Sequence, residues 1–133
     1  DDGYVLIVDK SYPEQNQRLL QIRDLFVKEG ITIQAPCIWQ GECPALKTPN
    51  SPCYAQRALE KTYILKEIQR AASINLSSLK MTYLLIRSPK SAKISYPNLP
   101  LYRVTSPPIE TFHGKRFYLC GTDGKKTLGS AIN

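Results

Sequence analysis

The segment GYVLIVD, residues 3–9, decides the fold that the rest of the sequence predicts. It is a short apolar run that contains the β-branched residues Val5, Ile7 and Val8. Runs of this kind are typical of strands that are buried inside parallel sheets. We therefore predict a buried strand near the beginning of the chain.

The next segment predicts a helix and a second strand. Ser11 is placed to cap a helix, and apolar residues recur at helical spacing from Leu19 to Val27. ITIQA, residues 31–35, then alternates as a strand does. A strand, a helix and a strand with short connections form a βαβ-like unit, so the fold class is predicted to be α/β.

Two further patterns lie in the middle of the chain. Residues 54–72 follow a helical pattern, and their buried face is predicted to include Ala55, Leu59 and Tyr63, with Ile64 and Ile68 as further members. KMTYLLIRS, residues 80–88, predicts another strand.

The end of the chain predicts a small β extension. Short strand-like segments alternate with turns there, and Asp123-Gly124 is a signature of a tight hairpin. We predict an α/β body at residues 1–97, with a cysteine-rich insertion at 36–54, and the β extension at 98–133.

Composition points to a soluble domain with an anionic partner. The chain has 133 residues, of which 42% are hydrophobic, and this length suits about one domain. No apolar run approaches the ~20 residues that span a bilayer, so we predict no membrane partner. The formal net charge of +7 favours a polyanion such as nucleic acid.

Seven cations are candidates for contacts with phosphates. Arg57 and Lys61 are like-charged and four residues apart in the predicted helix, which costs helix stability unless an anion faces them. A solvated face with Glu60 and Glu67 nearby is the alternative interpretation. The candidates are Arg57, Lys61, Arg70, Lys115, Arg116, Lys125 and Lys126.

The four cysteines follow the pattern Cys37-x5-Cys43-x9-Cys53-x66-Cys120. The first three lie in a proline-rich loop that buries little apolar surface, so a bound metal would supply the free energy that orders it. Four thiolates suit tetrahedral zinc or an iron–sulfur cluster, and the wide gaps favour the cluster. Two disulfides, or four free thiols, are the alternatives.

Two further aromatic side chains, those of His113 and Trp39, are candidates for a role in catalysis or binding. His113 is the single histidine of the sequence and lies in a probable turn without an evident partner, so we predict no catalytic role for it. Trp39 lies between the first two cysteines and could shield a cluster, stack on a base, or pack over the loop. We predict simple packing.

These motifs together resemble one family. The segments Ala35-Pro36-Cys37, Cys43-Pro44, Cys53-Tyr54 with Arg57, Met81–Leu84, Leu119-Cys120 and Asp123-Gly124 match the pattern of the methyltransferase-like proteins of the mitochondrial small ribosomal subunit and their bacterial counterparts. The resemblance covers nearly the whole chain, and the cysteine spacing is its most specific part. Tyr54 stands where the family pattern has a histidine.

The resemblance implies a cofactor and a partner. It implies a [4Fe–4S] cluster held by Cys37, Cys43, Cys53 and Cys120, with zinc as the alternative, and a class I methyltransferase fold with a Rossmann-like sheet. The partner would be the rRNA of the assembling small ribosomal subunit, contacted by the seven cations named above. The location would be the cytoplasm in bacteria and the mitochondrial matrix in eukaryotes.

The resemblance also implies what this segment lacks. Family members bind S-adenosylmethionine through a glycine-rich turn after the first strand, and the glycines here are isolated. The segment is therefore predicted to be the C-terminal portion of a longer protein, with S-adenosylmethionine bound by the full-length chain alone. The alternatives are a substrate-orienting segment of an active rRNA methyltransferase, and a disulfide-bonded extracytoplasmic domain.

Overall fold

The computed structural model describes residues 3–48, 51, 53–90 and 98–130. This part of the chain is mixed α/β, as predicted, and no helix in it is long and apolar enough to cross a membrane. In chain order the elements are β1 (Tyr4–Lys10), α1 (Pro13–Lys28), β2 (Ile33–Ala35), α2 (Pro44–Lys47), β3 (Ala55–Ala58), α3 (Tyr63–Ala72), β4 (Ser78–Arg87), β5 (Tyr102–Val104), β6 (Ile109–Thr111), β7 (Gly114–Gly121) and β8 (Lys126–Gly129).

The first sheet is organised around β4. Strands β1, β2 and β3 all pair with β4, and every pairing is antiparallel. Because β1 and β2 are both antiparallel to β4, they run in the same direction, with β4 between them. Strands β1 and β2 are therefore parallel to each other, as in the predicted βαβ-like unit, but β4 separates them.

Helix α1 covers one face of this sheet. Its Leu19 packs with Ile33 of β2 and with Leu84 and Ile86 of β4, and Phe26 adds to the cluster. The helix ends before Gly30, whose positive φ of 76° suits a residue without a side chain. The predicted cap at Ser11 is wrong, because Tyr12 precedes the helix and caps it with no side-chain hydrogen bond.

The predicted helix at residues 54–72 is wrong over nearly its first half, residues 54–62. Residues Ala55–Ala58 form β3, because the first half of β4 offers backbone hydrogen bonds to this segment. Helix α3 begins at Tyr63, after the Thr62 hydroxyl that accepts a hydrogen bond from the Leu65 N–H at 3.4 Å.

The predicted buried face of this helix is also wrong. The side chains of Tyr63, Ile64 and Ile68 are more than half exposed, and the buried residue of α3 is Gln69. Its amide donates to the Leu76 carbonyl oxygen at 3.1 Å, which ties the helix to the following loop.

Strand β1 lies at an edge of the first sheet. It pairs with β4 alone among the described strands, and Val5, Leu6 and Val8 are more than half exposed. The prediction of a buried strand is therefore wrong for this part of the chain, although the strand itself is confirmed.

The second sheet is organised around β7. Strands β5, β6 and β8 pair with it in antiparallel fashion. The predicted hairpin at Asp123-Gly124 joins β7 to β8, and Gly124 has a φ of 71° there. The domain boundary predicted at residue 97 falls within residues 91–97, which lie outside the described residues.

Candidate metal centre

All four cysteines line one cavity between the two sheets. Cys37 follows β2, Cys43 precedes α2, Cys53 precedes β3, and Cys120 lies on β7. The cavity is small and partly open to solvent. Its other lining residues are Arg23, Trp39, Pro44, Ala45, Thr105 and Lys126. The fold therefore brings Cys120 to the same place as three cysteines that are far from it in sequence.

The four thiols surround this cavity without converging on one point. All four cysteines are free, so no disulfide joins them. Across residues 3–48, 51, 53–90 and 98–130, no group of three or more histidine, cysteine, aspartate or glutamate side chains is arranged to hold a metal ion. The four thiols therefore share one cavity without forming a metal-binding geometry there.

Burial and repulsion from neighbouring thiols raise the pKa values of Cys43, Cys53 and Cys120. Burial, with repulsion from Cys37 and Cys43, raises the pKa of Cys53 to about 12. The same two causes raise the pKa of Cys120 to about 11. Because metals bind thiolates, a metal that enters the cavity must displace protons and supply the positive charge that the thiolates lack.

Cys43 has an additional source of stabilisation for its thiolate. Burial raises its pKa, but the backbone N–H groups of Ala45 and Leu46 hydrogen-bond to the sulfur and oppose this shift. These groups belong to α2, a single helical turn that Pro44 begins. The proline-rich loop is thus partly regular.

Three polar side chains of α1 hold the cysteine segment in place. Asn16 donates from its amide nitrogen to the Cys53 carbonyl oxygen at 2.6 Å. Both carboxylate oxygens of Asp24 accept from the Cys43 backbone N–H at 3.0 Å. Arg23 donates to the carbonyl oxygens of Trp39 and Gly41. Hydrogen bonds from helix α1 therefore position the cysteine segment.

Arg23 is the most buried of these three anchors, with 1% of its surface exposed. Besides its two carbonyl partners, the guanidinium bonds the Asp24 carboxylate at 2.5 Å. Burial lowers the pKa of Arg23, but the Cys37 thiol and Asp24 more than offset this, so it is raised overall. Its Nε atom is buried and has no hydrogen-bond partner within the described structure.

A glutamine completes the loop's attachment to the sheet. The Gln40 side chain accepts from the Ile33 N–H at 2.9 Å and donates to the Ile33 carbonyl oxygen at 2.8 Å. These two bonds imitate the pairing of a neighbouring strand. They fix the loop beside β2. Cys37 is the second residue after the end of this strand.

Trp39 joins the loop to the second sheet. A Cβ atom added at Gly41 or Gly124 would come within 2.4 Å and 2.6 Å of the Trp39 indole, so the ring lies against both glycines. Its indole N–H donates to the Glu42 carbonyl oxygen at 3.1 Å. Packing of Trp39 over the loop, as predicted from the sequence, therefore extends to the β7–β8 turn and closes one side of the cavity.

The seven predicted phosphate contacts fall in different surroundings. Arg57, Lys61 and Lys125 are exposed, and so are Arg70, which pairs with Glu67, and Lys115, which pairs with Glu110. The remaining two, Arg116 and Lys126, are partly buried. Lys126 lies 5.3 Å above the Tyr118 ring centroid and lines the cysteine cavity.

Sequence reasoning missed Asn16, Arg23, Asp24 and Gln40. The signal for Asn16 and Arg23 was present, because these two residues are seven apart and therefore lie on the same face as Leu19 and Leu20. Polar residues within an apolar helical stripe are buried and need partners. For Gln40 no comparable periodic signal exists.

We predict that Arg23→Met destabilises the protein strongly. The change leaves the Trp39 and Gly41 carbonyl groups without donors and Asp24 without its cation, and breaking a buried pair in this way costs about 3–5 kcal/mol. Urea unfolding followed by circular dichroism measures it. Arg18→Met is the control, because Arg18 is exposed on the same helix and pairs with Asp9. Equal midpoints for the two variants would contradict the assigned role of Arg23.

Comparison with known proteins agrees with the resemblance found in the sequence. A sequence model of the family described as mitochondrial small ribosomal subunit Rsm22 matches residues 1–128. The match includes both sheets and all four cysteines. No curated protein matches the chain. Because the match extends over nearly the whole sequence, the chain belongs to the Rsm22 family and is a methyltransferase-like protein related to the small ribosomal subunit.

Proposed function

We propose that this chain is the iron–sulfur-containing, rRNA-binding part of a methyltransferase-like factor for small-subunit assembly. The observation that carries the proposal is the single cavity lined by Cys37, Cys43, Cys53 and Cys120. Family membership supports the ribosomal part of the proposal. The cavity chemistry and the surface charge support the cofactor and the RNA partner.

The residues around the cavity fit a [4Fe–4S] cluster. Four thiols are the donor set of such a cluster. Because the sulfur ligands of a cluster lie farther apart than those of one zinc ion, the wide gaps between the cysteines in the sequence favour the cluster. The unpartnered Nε of the buried Arg23 is a donor that an anionic group in the cavity would satisfy.

The proposed role of the cluster is structural. Four protein ligands leave no open position for a substrate. The cluster would cross-link the loop between β2 and β3 to β7, and so fasten the second sheet to the first. Metal binding of this kind contributes directly to folding free energy.

We predict about four irons per chain in protein purified without oxygen, and their loss in Cys43→Ser. Serine is a poor ligand for this cluster, so iron content and the free energy of unfolding should fall together. Iron and sulfide assays with visible absorption measure the first, and urea unfolding measures the second.

Ala45→Ser is the matched control for that experiment. Ala45 lines the same cavity but offers no thiol, so the control should keep its iron. One zinc per chain and no iron would support the zinc alternative. A wild-type chain without any metal, or a Cys43→Ser chain with unchanged iron, would contradict the proposed cofactor.

Binding of rRNA is proposed from the exposed cations. Arg57 on β3 and Lys61 and Arg70 near α3 form one group, while Lys115 on β7 and Lys125 in the β7–β8 turn extend along the second sheet. Exposed arginine and lysine side chains contact phosphates and release counterions when they bind. A net charge of +7 supports such a partner.

We predict that binding to small-subunit rRNA weakens with salt, with a log–log slope of about −0.7 to −0.9 for each phosphate contacted. Arg57→Gln should reduce the magnitude of this slope by about one such unit. Lys28→Gln is the control, since Lys28 is an exposed cation at the end of α1 outside the proposed groups. Fluorescence anisotropy at several salt concentrations measures the slope, and a slope near zero would contradict RNA binding.

We propose further that the first sheet is the C-terminal part of a Rossmann-like methyltransferase sheet. Strand β1 supports this, because Leu6 is 61% exposed and its neighbours Val5 and Val8 are exposed as well. An apolar strand of this composition normally lies inside a sheet, and edge strands usually carry charges or prolines that discourage pairing. A further strand in the full-length protein would cover this edge.

Hydrogen exchange tests the continuation of the sheet. The backbone N–H groups of β1 that point away from β4 should exchange rapidly in this chain and slowly in the full-length protein. Those that bond to β4 serve as internal controls and should be slow in both. Equally rapid exchange of the outer N–H groups in the full-length protein would contradict the proposal.

The remaining parts of the proposal concern the full-length protein. S-adenosylmethionine would be bound there, by a glycine-rich turn that this segment lacks. The family description supports the mitochondrial matrix as the location in a eukaryote. For a bacterial host we propose the cytoplasm.

A further inference from the structure

Lys126 differs from the other predicted phosphate contacts in its surroundings. It is partly buried, it lines the cavity that holds the four cysteines, and its ammonium lies 5.3 Å from the Tyr118 ring centroid. Its neighbour Lys125 is exposed at the surface of the same turn. Two adjacent lysines therefore occupy different environments.

The register of the second sheet places Lys126 directly beside a cysteine. Cys120 pairs with Lys126 on β8 and with Arg103 on β5. Side chains directly opposite each other in antiparallel strands share one face of the sheet. Arg103 is engaged elsewhere, because it donates to the Tyr83 hydroxyl at 3.3 Å.

Charge balance at the cysteine site gives a physical reason for a lysine beside Cys120. A [4Fe–4S] group with four thiolate ligands is a net anion, and a buried anion needs nearby positive charge. The two cations that line the cavity are Arg23 and Lys126. The terminal nitrogens of Arg23 bond the carbonyl oxygens of the loop, which leaves its Nε for a group in the cavity.

We infer that Lys126 is a positioning cation of the cysteine site, which offsets the negative charge of the bound cluster and raises its reduction potential. This inference rests on the proposed cluster. One-electron reduction makes the cluster more negative, so a neighbouring ammonium stabilises the reduced form more than the oxidised form. Lys126 is thereby assigned to the cluster and not to an RNA phosphate.

The test compares Lys126→Met with Lys125→Met in the iron-loaded chain. Both changes remove one lysine charge from the same turn. A potentiometric titration followed by electron paramagnetic resonance gives the reduction potential, and the salt slope of rRNA binding gives the number of phosphate contacts.

We expect the two variants to give opposite results. Lys126→Met should shift the potential to more negative values and leave the salt slope unchanged. Lys125→Met should leave the potential unchanged and reduce the slope by about 0.7 to 0.9. An unshifted potential in Lys126→Met, or a slope reduced as in Lys125→Met, would overturn the inference.

A third variant covers the case in which Lys126→Met fails to load iron. Lys126→Arg keeps the charge, so it should restore both the iron content and a potential near that of the wild type. Failure of Lys126→Arg to restore loading would overturn the inference. A wild-type chain without iron would overturn the proposed function and this inference with it, whereas loaded wild type with an unshifted Lys126→Met overturns the inference alone.

Discussion

The cysteine site depends on one buried guanidinium, that of Arg23 on α1. It donates to two carbonyl oxygens of a loop that has little regular structure to satisfy them, and its partner Asp24 holds the Cys43 N–H. A buried arginine is tolerated only when its donors are paired. The loop is therefore positioned by the helix, and the positions of Cys37 and Cys43 follow from that contact.

The second sheet supplies the fourth cysteine of the cavity. Strand β7 places Cys120 opposite the three loop cysteines, and the turn after it packs Gly124 against Trp39. The cavity consequently lies at the junction of two sheets that share few other contacts. A group bound there would stabilise the junction itself, which is the physical reason to regard the proposed cluster as structural.

Positive charge is divided between the inside and the outside of the molecule. Arg23 and Lys126 face the thiols, and burial together with thiol repulsion keeps Cys53 and Cys120 protonated until a cation arrives. Arg57, Lys61 and Lys125 remain at the surface, where a polyanion can reach them. The proposed cluster and the proposed RNA partner would therefore use different parts of the net charge, which composition alone does not separate.

The sequence by itself determined the long, strongly patterned elements and the family. The stripe from Leu19 to Val27 predicted α1, the Asp123-Gly124 turn predicted the last hairpin, and the cysteine pattern predicted that the four thiols lie together. Tertiary structure decided the rest, because pairing partners override local pattern: Ala55–Ala58 became a strand along β4. Contacts between distant segments decide which polar side chains anchor the loop and which lysine faces the thiols. The hydrophobic periodicity of a single segment does not encode these contacts.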